Sequence, residues 1–236
     1  MKYLSLKILS LLSLISAVVA IYFRHAEVMT LYAVFKPLTT ILIITIAALI
    51  YREFRTNYSA WIILALLFSL IGDVFLIGDN YFLYGLLAFF LAHITFIIAF
   101  TRIHGFLRNG KVFTFLAFIG TSYFYLLYEN LGNFIIPVPI YMSVLLVMNW
   151  QVISLAFVEK TKLFLMLAIA SLFFSFSDSI IAYSKFIGSF VYSEILILST
   201  YWLAIYCFAI SGIWIADSKS RSNLLNHHSN KNARQD

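Results

Sequence analysis

Residues 69–100 read SLIGDVFLIGDNYFLYGLLAFFLAHITFIIAF. Two apolar runs meet here at the polar tripeptide Gly78-Asp79-Asn80. With the residues flanking them, each reaches the roughly 17–25 helical residues needed to cross a hydrocarbon core of about 30 Å. Asp73 and His93 lie inside these runs, where lipid disfavours them. An ionised carboxylate near the bilayer centre costs about 2.5–3.5 kcal/mol on insertion scales, so such a residue faces protein or water and is functional by default. A second aspartate, Asp178, repeats the anomaly later in the chain.

The same apolar pattern fills the rest of the chain. Hydrophobic residues make up 63% and charged residues 11%, and the mean hydropathy is +0.96. Soluble domains average roughly 45–50% apolar and 25% charged residues. The reading is an all-α polytopic membrane protein with eight transmembrane helices, at about 3–23, 29–50, 59–78, 81–101, 112–129, 135–157, 162–186 and 191–215. Residues 1–216 form one membrane domain, and residues 217–236 are a polar tail expected to be disordered and cytoplasmic. Lys2 and Lys7 precede the first apolar run as in a signal peptide, but no small-residue cleavage site ends it, so it reads as a retained helix. The single cysteine, Cys207, excludes an intrachain disulfide and a cysteine metal cluster.

Charge fixes the expected orientation. Of 16 basic residues, 13 fall on the side of the termini, whereas the other side keeps Arg24, Lys36 and Lys185. The positive-inside rule therefore puts both termini in the cytoplasm, and an odd number of spans would break the pattern. The net charge of +6 comes from basic residues scattered between spans rather than gathered in a stripe, so nucleic acid is not an expected partner. The expected partners are membrane lipids.

Few residues remain to carry chemistry. Of ten acidic residues all but Asp73 and Asp178 lie at span ends, in connections or in the tail, and of five histidines His93 alone is inside a span. At about 1.5 Å per residue from the outer ends, Lys36 lies about 10 Å deep, Asp73 about 8, Asp178 about 12 and His93 about 18. Tyr201 lies about 15 Å deep, and by residue type reads as packing or interfacial belt. Five polar groups on five helices within one slab are consistent with a single pocket.

Each group also has a structural reading. Asp73 shares a helix face with Ser69 and Ala65, and Asp178 with Ser171, Ser175 and Ala182. Small-residue stripes let helices approach closely, and either aspartate on one can serve as an interhelical hydrogen bond. Lys36 precedes Pro37, which frees the carbonyl of Ala33 and makes a polar kink; the alternative is a lysine that snorkels to the headgroups. Facing the aspartates, one cation against two carboxyls favours keeping one of them protonated. His93 shares a face with Gly85 and Phe89, as a ligand or as a satisfied structural histidine. Asn149 and Gln151, nearer the cytoplasmic end, read as helix–helix contacts.

Missing motifs narrow the chemistry. There is no G-x-S-x-G elbow, no H-E-x-x-H and no GxxxxGK[ST], so serine hydrolase, zincin and P-loop mechanisms have no sequence support. Paired intramembrane aspartates also occur in intramembrane aspartyl proteases, but Ser177-Asp178 and Leu70-Ile71-Gly72-Asp73 do not match their YD and GxGD motifs.

An ordered set of residues supplies a family. Lys36-Pro37, Ser69-x-x-Gly72-Asp73, Gly85-x-x-x-Phe89-x-x-x-His93, Pro139-x-Tyr141 with Met148, Ser177-Asp178-Ser179 and Thr200-Tyr201 together resemble the YhhN family of lysoplasmalogenases. The chain departs from that pattern at Ile205, where a glutamine is expected. The resemblance implies an eight-span enzyme that cleaves the vinyl ether of a lysophospholipid to a fatty aldehyde and a glycerophospho-base. It implies Asp73 and Asp178 as catalytic residues and Lys36, His93 and Tyr201 as substrate-binding ones, with no metal or organic cofactor.

The implied reaction suits two carboxyls. A vinyl ether hydrolyses by protonation of carbon, an oxocarbenium-like cation and addition of water. As in glycoside hydrolysis, one carboxylic acid delivers the proton while an ionised partner steadies the cation or activates water. Lys36 or His93 would then meet the substrate phosphate or hold the carboxyls in their different protonation states. The rival readings are a lipid or small-molecule transporter with proton-carrying carboxyls and a non-catalytic binding protein.

Overall fold

The computed structural model describes residues 2–232. Eight long helices account for most of them: α1 (Lys2–His25), α2 (Met29–Phe54), α3 (Asn57–Phe75), α4 (Phe82–His104), α5 (Gly110–Leu127), α6 (Pro137–Glu159), α7 (Lys162–Phe186) and α8 (Ser193–Asn232). Each contains a stretch long and apolar enough to cross a membrane, that of α8 being Ser193–Asp217. The chain is a multi-pass membrane protein. Beyond Asp217 the helix continues to Asn232 through the polar stretch read from sequence as a separate tail.

Local chemistry sets the ends. Helices α3, α5 and α7 start at the same end of the bundle, and each has a polar N-cap whose side chain accepts a backbone N–H: Thr56 from Ser59, Asn109 from Val112 and Thr161 from Phe164. These bonds satisfy donors that a helix start leaves orphaned. At the other end of its hairpin α2 runs one turn past the expected boundary and stops at Arg55, in the left-handed conformation with φ 49°. Helix α2 passes through Pro37 without interruption. The helices are otherwise joined by short turns, so the α1–α2, α3–α4 and α7–α8 connections share one end of the bundle.

Packing is uneven. Helices α3 and α4, α7 and α8, and α1 and α2 make the most extensive contacts, whereas α5 leans chiefly on α6. In lipid, helices associate by close van der Waals fit and polar ties rather than by exclusion of water. Gly72 supplies such a fit, because a methyl group there would stand 2.6 Å from ring carbons of Phe89 on α4. Polar ties include Tyr58 with Ser211 at 2.8 Å, between α3 and α8, and Ser177 donating to the carbonyl of Ile197 at 3.0 Å, between α7 and α8. Phe96, Phe100, Phe174, Phe208 and Met148 fill the centre. Ile205 is fully buried in the same core.

Candidate active site

Helix α3 carries Asp73 into the interior one residue past Gly72, where Phe89 covers the backbone. The carboxylate is 1% exposed and its Oδ2 accepts two hydrogen bonds, from Thr40 Oγ1 of α2 at 2.6 Å and from Tyr201 Oη of α8 at 2.8 Å. Trp202 Nε1 donates to Thr40 Oγ1 at 3.3 Å. Lys36, one turn before Thr40 on α2, is buried and acts on Asp73 through its charge. Its Nζ stands 5.7 Å from the centroid of the Tyr32 ring.

A second cluster surrounds Asp178. Tyr141 Oη of α6 donates to Asp178 Oδ2 at 2.5 Å, and His93 Nε2 of α4 lies 3.1 Å from the same oxygen and 2.9 Å from the Tyr141 hydroxyl. His93 is fully buried and its Nδ1 has no partner. Nε2 is therefore the ring nitrogen through which His93 meets the cluster.

The five polar groups expected around a single pocket form two clusters. Phe89 and Phe174 stand between them, edge-on to Tyr201 at 5.7 and 5.4 Å, and Phe174 meets the His93 ring at 4.7 Å. Phe174 touches a member of each cluster, Tyr201 and His93. Each aspartate also ties three helices together, α2, α3 and α8 around Asp73 and α4, α6 and α7 around Asp178, so the structural reading holds alongside any chemical one.

Two cavities flank this layer. The first, of about 230 Å³, lies between α4, α5, α6 and α7 and is lined almost entirely by apolar side chains such as Leu86, Leu116 and Leu145. Asp178 and Tyr141 are on its wall. So is Asn149, which gives its amide to Leu145 O and Ser175 Oγ and leaves Oδ1 buried without a partner. The second cavity, of about 320 Å³, opens toward the α1–α2 end of the bundle and includes Lys36. Leu76, Phe82 and Ile181 belong to both cavities. Asp73 precedes Leu76 by three residues and Asp178 precedes Ile181 by three, so each carboxyl sits one turn inside the shared wall.

Among the residues singled out from sequence, Lys36 faces a cavity, whereas His93 and Tyr201 lie behind it and hold the two carboxyls. Thr40 and Tyr141 carry comparable contacts without having been singled out as site residues. Thr40 is one turn from Lys36, and Tyr141 falls in the Pro139-x-Tyr141 motif, so each had a signal in the sequence. Gln151 differs from expectation: it clamps the α4–α5 loop through Leu107 N and Gly105 O, both at 2.9 Å, rather than a neighbouring helix. Among the described residues no three His, Cys, Asp or Glu side chains converge as metal donors.

This arrangement can be set beside known proteins. The human protein named lysoplasmalogenase TMEM86A is 36% identical over 158 residues, 64% of this chain and 65% of that one. Its bovine counterpart is 35% identical over the same shares, and the mouse protein named lysoplasmalogenase TMEM86B is 31% identical over 62% of this chain and 61% of its own. The chain thus matches just under two thirds of the length of these relatives. No solved structure matches it. The family model described as YhhN matches residues 31–212, which contain both aspartates and every side chain bonded to them. The chain belongs to the YhhN family.

Proposed function

We propose that this protein is a membrane-embedded lysoplasmalogenase, cleaving the vinyl ether of a single-chain alkenyl phospholipid to a fatty aldehyde and a glycerophospho-base. The observation that carries the reading is the pair of adjoining cavities, one apolar and one bordered by Lys36, with a carboxyl one turn inside their shared wall on each of α3 and α7. An amphipathic substrate lying across that wall would have its chain among Leu86, Leu116 and Leu145 and its polar end beside Lys36. The ether oxygen would then lie near Leu76, Phe82 and Ile181, within reach of the aspartate layer.

Asp178 borders the apolar cavity and is the carboxyl nearest an alkenyl chain. In this reading its proton adds to the vinyl carbon remote from oxygen, and the C=C electrons leave an oxocarbenium-like cation. Asp73, across the layer, is the carboxylate that steadies that cation. Water adds to the cationic carbon, loses a proton to a carboxylate, and the hemiacetal falls apart to aldehyde and alcohol. Tyr141 and His93 orient Asp178, and Thr40 and Tyr201 orient Asp73, as supporting hydrogen bonds must when a site has to stay in register.

The transporter reading asks for a polar path through the bundle. Phe96, Phe100 and Phe208, fully buried and in mutual ring contact, fill the centre instead. Asn149 and Gln151 are engaged with Ser175 and with the α4–α5 loop. These contacts favour a closed reaction site. Purified protein incubated with an alkenyl lysophospholipid should release fatty aldehyde, and with the matching acyl lysophospholipid should release no fatty acid. Release of fatty acid alone would overturn the reading.

A further inference from the structure

The charge pattern leaves three basic residues at the α1–α2 end, Arg24, Lys36 and Lys185, and all three line the second cavity. They come from α1, α2 and α7, which makes their convergence a property of the fold rather than of one segment. Aromatic rings hold them there: Tyr32 has Arg24 Cζ at 5.4 Å and Lys36 Nζ at 5.7 Å from its centroid, and Phe82 has Lys185 Nζ at 5.1 Å. Arg24 is also bonded by Glu194 at 2.6 Å. Among the described residues no carboxylate is ion-paired with Lys36 or Lys185. Three cations against Glu194 and the nearby Asp73 leave one positive charge uncompensated.

A second observation concerns Ser184, on the wall of the same cavity, whose Oγ is buried with no hydrogen-bond partner. A buried hydroxyl without a partner is costly, and a rotation that brings it to an acceptor in the cavity would relieve that cost. Two ammonium groups and a guanidinium around one space, with one positive charge in excess, are complementary to a phosphate oxyanion. The cavity shares Leu76, Phe82 and Ile181 with the apolar one, so an anion held here lies beside space that suits a hydrocarbon chain.

We propose that the cavity bordered by Arg24, Lys36, Ser184 and Lys185 binds the phosphodiester of a single-chain phospholipid, whose one negative charge matches the charge left over. This rests on the reading that the substrate is such a lipid. Lys36 and Lys185 are the ligands proper, and Glu194 positions Arg24.

The test measures binding, not turnover. A saturated-ether lysophosphocholine has no vinyl bond to cleave, and the corresponding alkylglycerol is the same chain without phosphate. Binding of each to purified protein in a neutral detergent should differ at least tenfold in favour of the phospholipid. Lys185→Gln and Lys36→Gln should each weaken phospholipid binding by about tenfold and leave alkylglycerol binding unchanged. Lys185→Arg should restore it. Lys185 is exposed, so its variants are not expected to disturb folding. Equal affinity of the wild-type protein for the two lipids would overturn the proposal, as would an undiminished preference in Lys185→Gln. Millimolar inorganic phosphate that binds while the lipids show no phosphate preference would identify a free-phosphate site and also overturn it. Because the probe is inert, aldehyde production without phosphate preference refutes this inference alone. Phosphate preference without aldehyde production refutes the proposed function alone.

Discussion

Tyr201 of α8 donates its hydroxyl hydrogen to the Asp73 carboxylate of α3 at 2.8 Å, joining residues 128 apart in sequence. The same phenol rests edge-on against Phe89 and Phe174, the two rings that separate Asp73 from the His93–Tyr141–Asp178 cluster. Tyr201 is therefore the hinge between the halves of the site. Tyr201→Phe keeps the ring and removes one of two donors to Asp73, leaving Thr40. A hydrogen bond to a charged group contributes roughly 1.5–3 kcal/mol, so turnover should fall by about ten- to a hundredfold without loss of fold. Kinetics on the purified variant, with thermal unfolding as a control, check this; unchanged turnover would remove Tyr201 from the site.

The two aspartates should act as one unit. Asp73→Asn and Asp178→Asn preserve shape and keep a hydrogen-bonding oxygen, so a purely structural aspartate should tolerate the change. Each should lose on the order of a hundredfold or more in turnover, and the double variant should be little worse than either alone. Effects that multiply independently, or a single variant with near-normal turnover, would argue against paired carboxyls.

Gly72 sets the closeness of α3 and α4. Gly72→Ala drives a methyl group to 2.6 Å from the buried Phe89 ring, which has no free end to yield. Overpacking of this kind costs about 1–3 kcal/mol. A lower unfolding temperature in detergent is expected, together with reduced turnover because Asp73 is the next residue. An unaffected unfolding temperature would show that the contact is easily relieved.

Much of this fold was legible because lipid imposes long apolar helices, and the caps at Thr56, Asn109 and Thr161 follow simple side-chain chemistry. Lys36, Asp73, His93 and Asp178 stood out because each conflicts with its surroundings. What sequence could not give was azimuth. Helices apolar on every face carry no stripe to say which neighbour a side chain meets, so the division of the slab by Phe89 and Phe174 was not readable. For the same reason no sequence pattern ties Thr40 to Asp73 or Tyr141 to Asp178, although each lies in direct hydrogen-bond contact with that carboxylate. The apolar cavity depends on how α5 leans on α6, a packing outcome that no local pattern encodes.

Orientation rests on the 13-of-16 charge bias and has its own test. Asn80, exposed in the α3–α4 connection, should be labelled from outside when replaced by cysteine in a background lacking Cys207. Arg108, exposed in the α4–α5 connection, should be labelled from the cytoplasm. Labelling of both from one side would contradict the eight-span topology.

In the proposed reaction a proton is added to carbon. Ester hydrolysis and transport do not, so the destination of a solvent proton separates the readings. Run in heavy water on an alkenyl lysophospholipid, with the aldehyde trapped promptly and an enzyme-free aldehyde control for later exchange, the reaction is followed by mass spectrometry. The expected product is aldehyde carrying one solvent deuterium on the carbon next to the carbonyl, formed more slowly than in ordinary water. Unlabelled aldehyde, or fatty acid in its place, would contradict it.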